Sequence, residues 1–338
     1  MSGTTIEELH HYRQMAKNLT PAKRIELKRL INITEDDEKR LVGLDNEDEF
    51  VVMIYTLEWV KSFSGVDESI AQITRTKTTD LFVETKTGKK LSIEVKSSKE
   101  NEIKFTRKLV EDKIAYSQEH SHECYFAIKL NGHWMLFSGD YILKKDCKRS
   151  LEKDFLKSEM NSVFGERLFF FGKGLEIITN YSKSKGGICG ITNEYGNAVR
   201  IAIKANGKRF FLITPTNPQY VFVSIALESL ENTMSNQEQI INYVDSDKTV
   251  VIERLKEDLF VTFSSILMAP ILHTVNTSLS ENFTFQTYIE ELKKKEHKSL
   301  LSREIVLDAL SLFEGEYEVS MSYDNRNFYW IKDLRIAE

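Results

Sequence analysis

Proline is scarce in this 338-residue chain, at 4 residues, and glycine is modest at 15. That leaves little room for disordered linkers or low-complexity tracts. There are only three cysteines, Cys124, Cys147 and Cys189, widely spaced and without a CxxC pair. Neither a disulfide framework nor a structural zinc site is expected from them. No stretch approaches the roughly 18 uncharged apolar residues that a membrane span requires, so no membrane partner is expected. The polar start, Met1–Glu8, lacks the apolar centre of a signal peptide, and a reducing, cytoplasmic setting is the expectation. A surplus of positive charge is missing too. A formal net charge of −5 argues against a protein that coats nucleic acid non-specifically. A chain with this balance that acts on nucleic acid must concentrate its basic residues locally.

What is present is the composition of a soluble globular protein, 41% hydrophobic and 29% charged, on a chain long enough for two domains. Residues 1–45 read as an arm of short charged helices, with starts at Thr20-Pro21 and Thr34-Glu35-Asp36. Residues 47–62 form a helix that is apolar almost all round, as expected of one buried against a sheet. Strand-like runs follow at 70–75, 79–85, 89–96, 124–130 and 133–138, with a helix over about 104–119. This α-β-β-β-α-β-β order makes residues 46–145 one α/β domain. The stretch 145–162 is densely charged and helical in period, so 146–160 reads as a connector. Residues 161–338 read as a separate C-terminal α+β domain for recognition, assembly or regulation. Its expected elements are β-rich runs at 167–179, 199–205 and 208–214, a hairpin turn at Asn206-Gly207, helices around 221–233, 282–296 and 301–313, and a final hairpin at 316–332.

The segment from Thr79 to Lys96 carries the chemistry. Its middle, Lys86-Thr87-Gly88, suits a three-residue hairpin loop, because glycine can occupy the left-handed third position. A turn centred on Thr87 pairs Glu84 with Lys90, Phe82 with Ser92 and Asp80 with Glu94. Strand side chains alternate faces, so Asp80, Glu94 and Lys96 share one face, while Leu81, Val83, Leu91, Ile93 and Val95 form an apolar surface on the other.

Two carboxylates facing each other across a sheet repel, and a bound cation is the usual reason to tolerate that. Oxygen-only ligands suit Mg²⁺, with Mn²⁺ as a substitute, and such ions share their remaining positions with water and phosphate. Lys96 would orient water or balance charge on the phosphate. Neighbouring carboxylates raise a lysine's pKa, which argues against a simple general base. The bare [DE]-x-K pattern is unspecific, recurring at Glu26-Leu27-Lys28, Glu102-Ile103-Lys104 and Glu291-Leu292-Lys293. Only the copy at 94–96 lies on an expected strand with an aspartate facing it. The bland alternative is a solvated surface hairpin.

The run Asp80-Leu81…Gly88-Lys89-Lys90…Ile93-Glu94-Val95-Lys96 resembles the PD-(D/E)xK nuclease superfamily. It is particularly similar to the archaeal Holliday-junction-resolvase and restriction-endonuclease-like branches. Ser97-Ser98, a basic helix, Tyr125–Lys129 and Trp134–Phe137 continue the likeness, which covers roughly residues 46–140. Thr79 stands where the family name has proline. The resemblance implies a restriction-endonuclease-like core, a central mixed sheet flanked by helices. It also implies Asp80 and Glu94 as metal ligands and Lys96 as a catalytic residue. The family often adds a glutamate from the first core helix. Glu49 matches by position, with Glu47 and Glu58 as competitors, and a glutamate near a helix start is also favourable to the helix dipole.

From Lys86 to Lys113 there are nine Lys or Arg against five acids. Within that local surplus, Lys99, Lys104, Arg107 and Lys108 are the candidate phosphate contacts, set against a merely solvated helix face. His120, His122 and Cys124 lack a fourth ligand for zinc and read as a helix-to-strand loop. Lys183–Gly187 lacks the Lys-Ser/Thr of a phosphate loop and reads as a turn. The expectation is a Mg²⁺-dependent endonuclease hydrolysing DNA phosphodiesters, in restriction or phage defence, with RNA as an alternative substrate and a homodimer or partner subunit as the assembly. The alternatives are a Holliday junction resolvase or repair nuclease, and a non-catalytic module that binds nucleic acid or a partner.

Overall fold

The computed structural model describes residues 4–16, 19–57, 59–66, 78–166, 168–171, 173–188, 192–205, 208–214, 237–262 and 289. The expected strand at 70–75, the turn at 206–207, the later helices and the final hairpin lie outside these, apart from Ile289. The chain divides into two compact units, one built on residues 1–166 with 275–300 and 321–338, the other on 167–274 with 301–320.

The first unit opens with helices α1 (Ile6–Ala16) and α2 (Pro21–Leu30). The third, α3, runs from Glu35 to Thr56 as one 22-residue helix. Its start is a capping box: Thr34 Oγ1 accepts the Asp37 N–H at 3.2 Å, and Asp37 accepts the Thr34 N–H at 3.0 Å. Two of the helix's otherwise orphaned donors are thereby satisfied. Leu9, Tyr12 and Ala16 of α1 pack against Leu41 and Leu44 of α3. The arm is therefore docked on the first half of the same helix that enters the core. That helix stops sooner than its apolar run suggests, because Val60–Gly65 forms strand β1 instead of its continuation to residue 62.

Strands β1, β2 (Leu81–Thr85), β3 (Lys90–Ser98), β5 (Glu123–Leu130) and β6 (His133–Ser138) form one mixed sheet in the order β1-β2-β3-β5-β6. β3 and β5 are parallel and every other pair is antiparallel. A parallel pair needs a crossover, and here helix α4 (Arg107–Glu119) supplies it. Short strands β4 (Glu102–Lys104) and β7 (Lys148–Ser150) pair beside it.

Alternation along the strands sorts the two faces. Leu91, Ile93, Val95, Ala127, Trp134 and Leu136 meet Phe50, Met53 and Ile54 of α3. On the opposite face Phe126, Ile128, Met135 and Phe137 meet Val110 of α4 and Ile142 of α5 (Gly139–Lys144). Each large apolar side chain buried this way contributes about 1.5–3 kcal/mol.

The stretch expected as a connector belongs to this core. It forms β7, α6 (Leu151–Asp154), a turn of 3₁₀ helix and α7 (Met160–Phe164), and Met160, Val163 and Phe164 pack under the sheet on the α3 side. Most of its charges are exposed, but one opposite pair lies in the interior. Arg149 is 1% exposed, pairs with Asp154 at 3.3 Å and stacks over the rings of Phe137 and Tyr141.

In the second unit the described elements are all strands. β8 (Leu168–Phe171) pairs with β15 (Leu259–Thr262), and a six-stranded antiparallel sheet holds β9 (Glu176–Ser182), β10 (Thr192–Asn193), β11 (Gly196–Ala205), β12 (Lys208–Ile213), β13 (Gln237–Tyr243) and β14 (Lys248–Leu255). In the antiparallel pair β11–β12, Ala205 stands opposite Lys208. Residues 183–187 are a turn in which the Asp247 carboxylate accepts the Ser182 hydroxyl and the Ser184 N–H.

Candidate active site

The hairpin β2–β3 has the register that its sequence requires, Glu84 opposite Lys90 and Phe82 opposite Ser92. The ladder proper begins at Leu81, and Asp80 stands just before it. Two bonds carry the pairing one step further. Val95 donates its backbone N–H to Asp80 Oδ2 at 2.6 Å, and the Thr79 hydroxyl donates to the Ile93 carbonyl at 2.7 Å. Thr79 is buried, so this residue at the family's proline position stitches the two strands together.

Asp80, Glu94 and Lys96 come together on the sheet face that α4 covers. Lys96 Nζ lies 2.6 Å from Glu94 Oε1 and 3.9 Å from Asp80 Oδ2. The Glu94 side chain is 4% exposed and that of Asp80 8%, whereas Lys96 keeps 35% exposure. The acids are therefore sealed and the lysine opens to solvent. Burial first, and then the charge of Glu94, push the Asp80 pKa up to about 6. Burial alone would lower the Lys96 pKa, but Asp80 and Glu94 outweigh it and hold the lysine above its ordinary value. A lysine held so firmly charged is a source of positive potential, not a base.

A second lysine completes the cluster. Lys113 of α4 is buried, its Nζ lies 2.5 Å from Glu94 Oε2, and it also donates to the Thr78 carbonyl. Glu94 Oε2 has no hydrogen-bond partner of ordinary geometry, so its contact with Lys113 is ionic. Sequence reasoning counted Lys113 only as part of the basic surplus. The missed signal is its spacing: Val110, Lys113 and Ser117 are the buried stripe of α4, and a lysine in such a stripe requires a buried partner.

Glu49, expected at the metal site, is not brought to the cluster. Its carboxylate accepts from Lys129 at 2.6 Å and from the Trp134 indole at 2.9 Å, beside the core on the α3 side of the sheet. The physical reason is helix phase. Glu49 lies one turn before Met53, within the inward stripe of Phe50, Met53 and Ile54. Its competitor Glu47 is near enough for its charge to act on Lys96. Glu58 lies outside the described residues.

Lys99, Lys104, Arg107 and Lys108 are all exposed. Arg107 pairs loosely with Glu111 at 3.7 Å and donates to the Leu143 carbonyl at 3.4 Å. None of the four touches the cluster. His120 and His122 pack against the ring of Phe82, at 5.5 and 4.5 Å between centroids. Among the described residues no group of three or more His, Cys, Asp and Glu is arranged around one metal position. The candidate site is thus a pair of carboxylates with two lysines, not a cage. A divalent cation fits its chemistry, because two buried carboxylates that repel each other offer the oxygen donors a hard cation prefers.

A mixed sheet flanked by helices, with an Asp/Glu/Lys set at its central hairpin, is similar to the arrangement expected from the resemblance to the PD-(D/E)xK nucleases. More particularly, a family model described as archaeal Holliday junction resolvase (hjc) matches residues 69–163, under a third of the chain. Among solved structures, the Holliday junction resolvase Hjc of the archaeal hyperthermophile Archaeoglobus fulgidus is similar. It is 19% identical over 35% of this chain and 87% of its own, with a TM-score of 0.26. No curated protein matches the chain.

Proposed function

We propose that the first unit is a metal-dependent endonuclease that hydrolyses DNA phosphodiester bonds. The observation that carries this is the burial of Asp80 against Glu94 with a charged, half-open Lys96 between them. A buried acid pair in which Asp80 has a raised proton affinity is costly to the fold and suits a site built for a cation. Asp80 and Glu94 would hold Mg²⁺ or Mn²⁺, with Glu47, whose charge also acts on Lys96, as a further carboxylate. When bound, such an ion supplies Lewis-acid stabilisation of phosphate charge and a more acidic water.

The chain's own contributions follow from geometry. The Val95 N–H fixes the Asp80 carboxylate, so the acid is oriented before any ligand arrives. Lys96, ionised and open to solvent, offers its ammonium to a phosphate oxygen, where negative charge grows as the phosphorus is attacked. Lys99, Lys104, Arg107 and Lys108 supply exposed positive charge for backbone phosphates.

The matched family is named for the Holliday junction, which makes a four-way DNA junction the first substrate to try. The alternative of restriction or defence rests on the length of the chain beyond the core, and no feature of the site favours it. Labelled four-way junctions, linear duplex and supercoiled plasmid, each with Mg²⁺, Mn²⁺ or EDTA, test the proposal. Metal-dependent cleavage lost in both Asp80→Asn and Lys96→Ala is expected. Cleavage that persists in these variants would overturn the assigned site, and DNA binding without cleavage under any metal would overturn the proposal in favour of a binding module.

A further inference from the structure

Resting on that reading of the site, we propose that Lys113 is a positioning residue that competes with the divalent cation for Glu94 and so keeps metal affinity low in the absence of DNA. Both oxygens of Glu94 are already engaged, Oε1 by Lys96 at 2.6 Å and Oε2 by Lys113 at 2.5 Å. The two lysines are not equivalent. Lys96 shares the strand of Glu94 and also donates to the Val95 carbonyl at 3.0 Å, but at 35% exposure its head can swing into solvent. Lys113 is 9% exposed, comes from α4 and is tied to the Thr78 carbonyl, so it has no comparable retreat.

Counting charges gives the consequence. Asp80 and Glu94 contribute two negative charges, and Lys96 and Lys113 contribute two positive charges, so the buried cluster is balanced without a metal. A divalent cation entering this cluster gains the attraction of two acids but meets two ammonium groups. With Lys113 removed, the same acids carry one uncompensated negative charge. Charges this close and this poorly solvated interact strongly, so the loss of one ammonium strengthens cation binding. The metal-loaded cluster also carries a surplus of two positive charges, half of which one DNA phosphate, with its single negative charge, offsets. Metal and DNA therefore bind in mutual support, and linkage makes that coupling reciprocal.

The same contact joins three pieces of the unit: α4 through Lys113, β3 through Glu94, and the segment entering β2 through Thr78. An arginine can keep the charge, and a methionine can keep much of the length without it.

Calorimetric titration of metal-free, full-length protein with Mn²⁺, in the absence of DNA, tests this without reference to cleavage. Lys113→Met is expected to bind Mn²⁺ at least tenfold more tightly than wild type, with Lys113→Arg close to wild type. Lys113→Gln, which keeps a donor for the Thr78 carbonyl, should follow Lys113→Met, and serves if the methionine variant fails to fold by circular dichroism. Adding a cleavage-resistant four-way junction should tighten Mn²⁺ binding to wild type more than to Lys113→Met. Affinity in Lys113→Met and Lys113→Gln within threefold of wild type, or weaker, overturns the role of Lys113 while leaving the metal site standing, provided Asp80→Asn abolishes binding. Mn²⁺ binding unchanged by Asp80→Asn, or absent from wild type, overturns the metal site itself and this inference with it.

Discussion

Asp80 Oδ2 accepts the backbone N–H of Val95 at 2.6 Å, which anchors the carboxylate at the mouth of β2 to the strand carrying Glu94 and Lys96. One oxygen of this acid therefore has a structural duty, and its charge has a separate one. Asp80→Asn preserves an acceptor for Val95 and removes the repulsion with Glu94. Its melting temperature at pH 7.5 should equal or exceed that of wild type, with cleavage lost. Asp80→Ala leaves a buried N–H without a partner and should cost about 1–3 kcal/mol. Equal destabilisation in the two variants would show that the hydrogen bond contributes nothing.

The raised proton affinity of Asp80 predicts an inverse dependence of stability on pH. Its folded-state pKa of about 6 lies above the value of about 3.9 for an unfolded aspartate. The folded state thus holds the proton more tightly, and this group's stabilising contribution is complete below pH 4 and lost as pH rises through 6. Metal-free protein should gain stability relative to Asp80→Asn between pH 7.5 and pH 5. Mn²⁺ affinity should fall over the same interval, as the proton displaces the cation. Denaturation and titration at pH 5, 6.5 and 8 check both, and a flat difference between wild type and Asp80→Asn would contradict the assigned environment.

Glu49 and Glu47 separate structure from metal chemistry. Glu49→Ala removes the carboxylate that pairs with Lys129 and accepts the Trp134 indole N–H, while Lys129 keeps its bond to Asn46 Oδ1 at 3.1 Å, and should cost about 1–3 kcal/mol. Glu49→Gln keeps an acceptor for Trp134 and should cost less. Neither change should alter Mn²⁺ affinity in protein that remains folded, whereas Glu47→Gln should weaken it. Loss of metal binding in Glu49→Gln with none in Glu47→Gln would reverse this assignment.

The hairpin register was legible in the sequence because strand periodicity is 2, and a single well-placed glycine fixes which residues face each other. The two faces of β3 followed from the same alternation, as did the crossover helix between β3 and β5. What was not legible depended on which charges meet in space. Arg149 and Asp154 look like solvated charges in a helical run, yet they close on each other under Phe137 and Tyr141. Lys113 looks like one more basic residue until α4 is set against β3. That the charge of Glu47 reaches Lys96 while Glu49 pairs with Lys129 turns on a rotation of about 200° between residues two apart on a helix. The position of Glu49 in the apolar stripe with Met53 could have decided it in advance. The end of α3 at Thr56 was hidden because Val60 and Phe63 read equally well as helix or strand.

The exposed basic residues test how DNA is held. Lys99, Lys104 and Lys108 are exposed and lie outside the acid–lysine cluster, so their replacement by alanine should leave Mn²⁺ affinity and melting temperature unchanged. Each that contacts a phosphate should reduce the slope of log affinity against log salt by about 0.9. Arg107 is held by Glu111 and the Leu143 carbonyl, so Arg107→Ala should have a smaller effect on DNA affinity than Lys108→Ala. Binding of a four-way junction measured between 50 and 300 mM salt in Ca²⁺, chosen to prevent cleavage, gives these slopes. The expected triple variant Lys99→Ala, Lys104→Ala, Lys108→Ala loses affinity uniformly across junctions of different sequence, because phosphate contacts position DNA without reading bases. An unchanged slope in the triple variant would move the DNA path away from β4 and the start of α4.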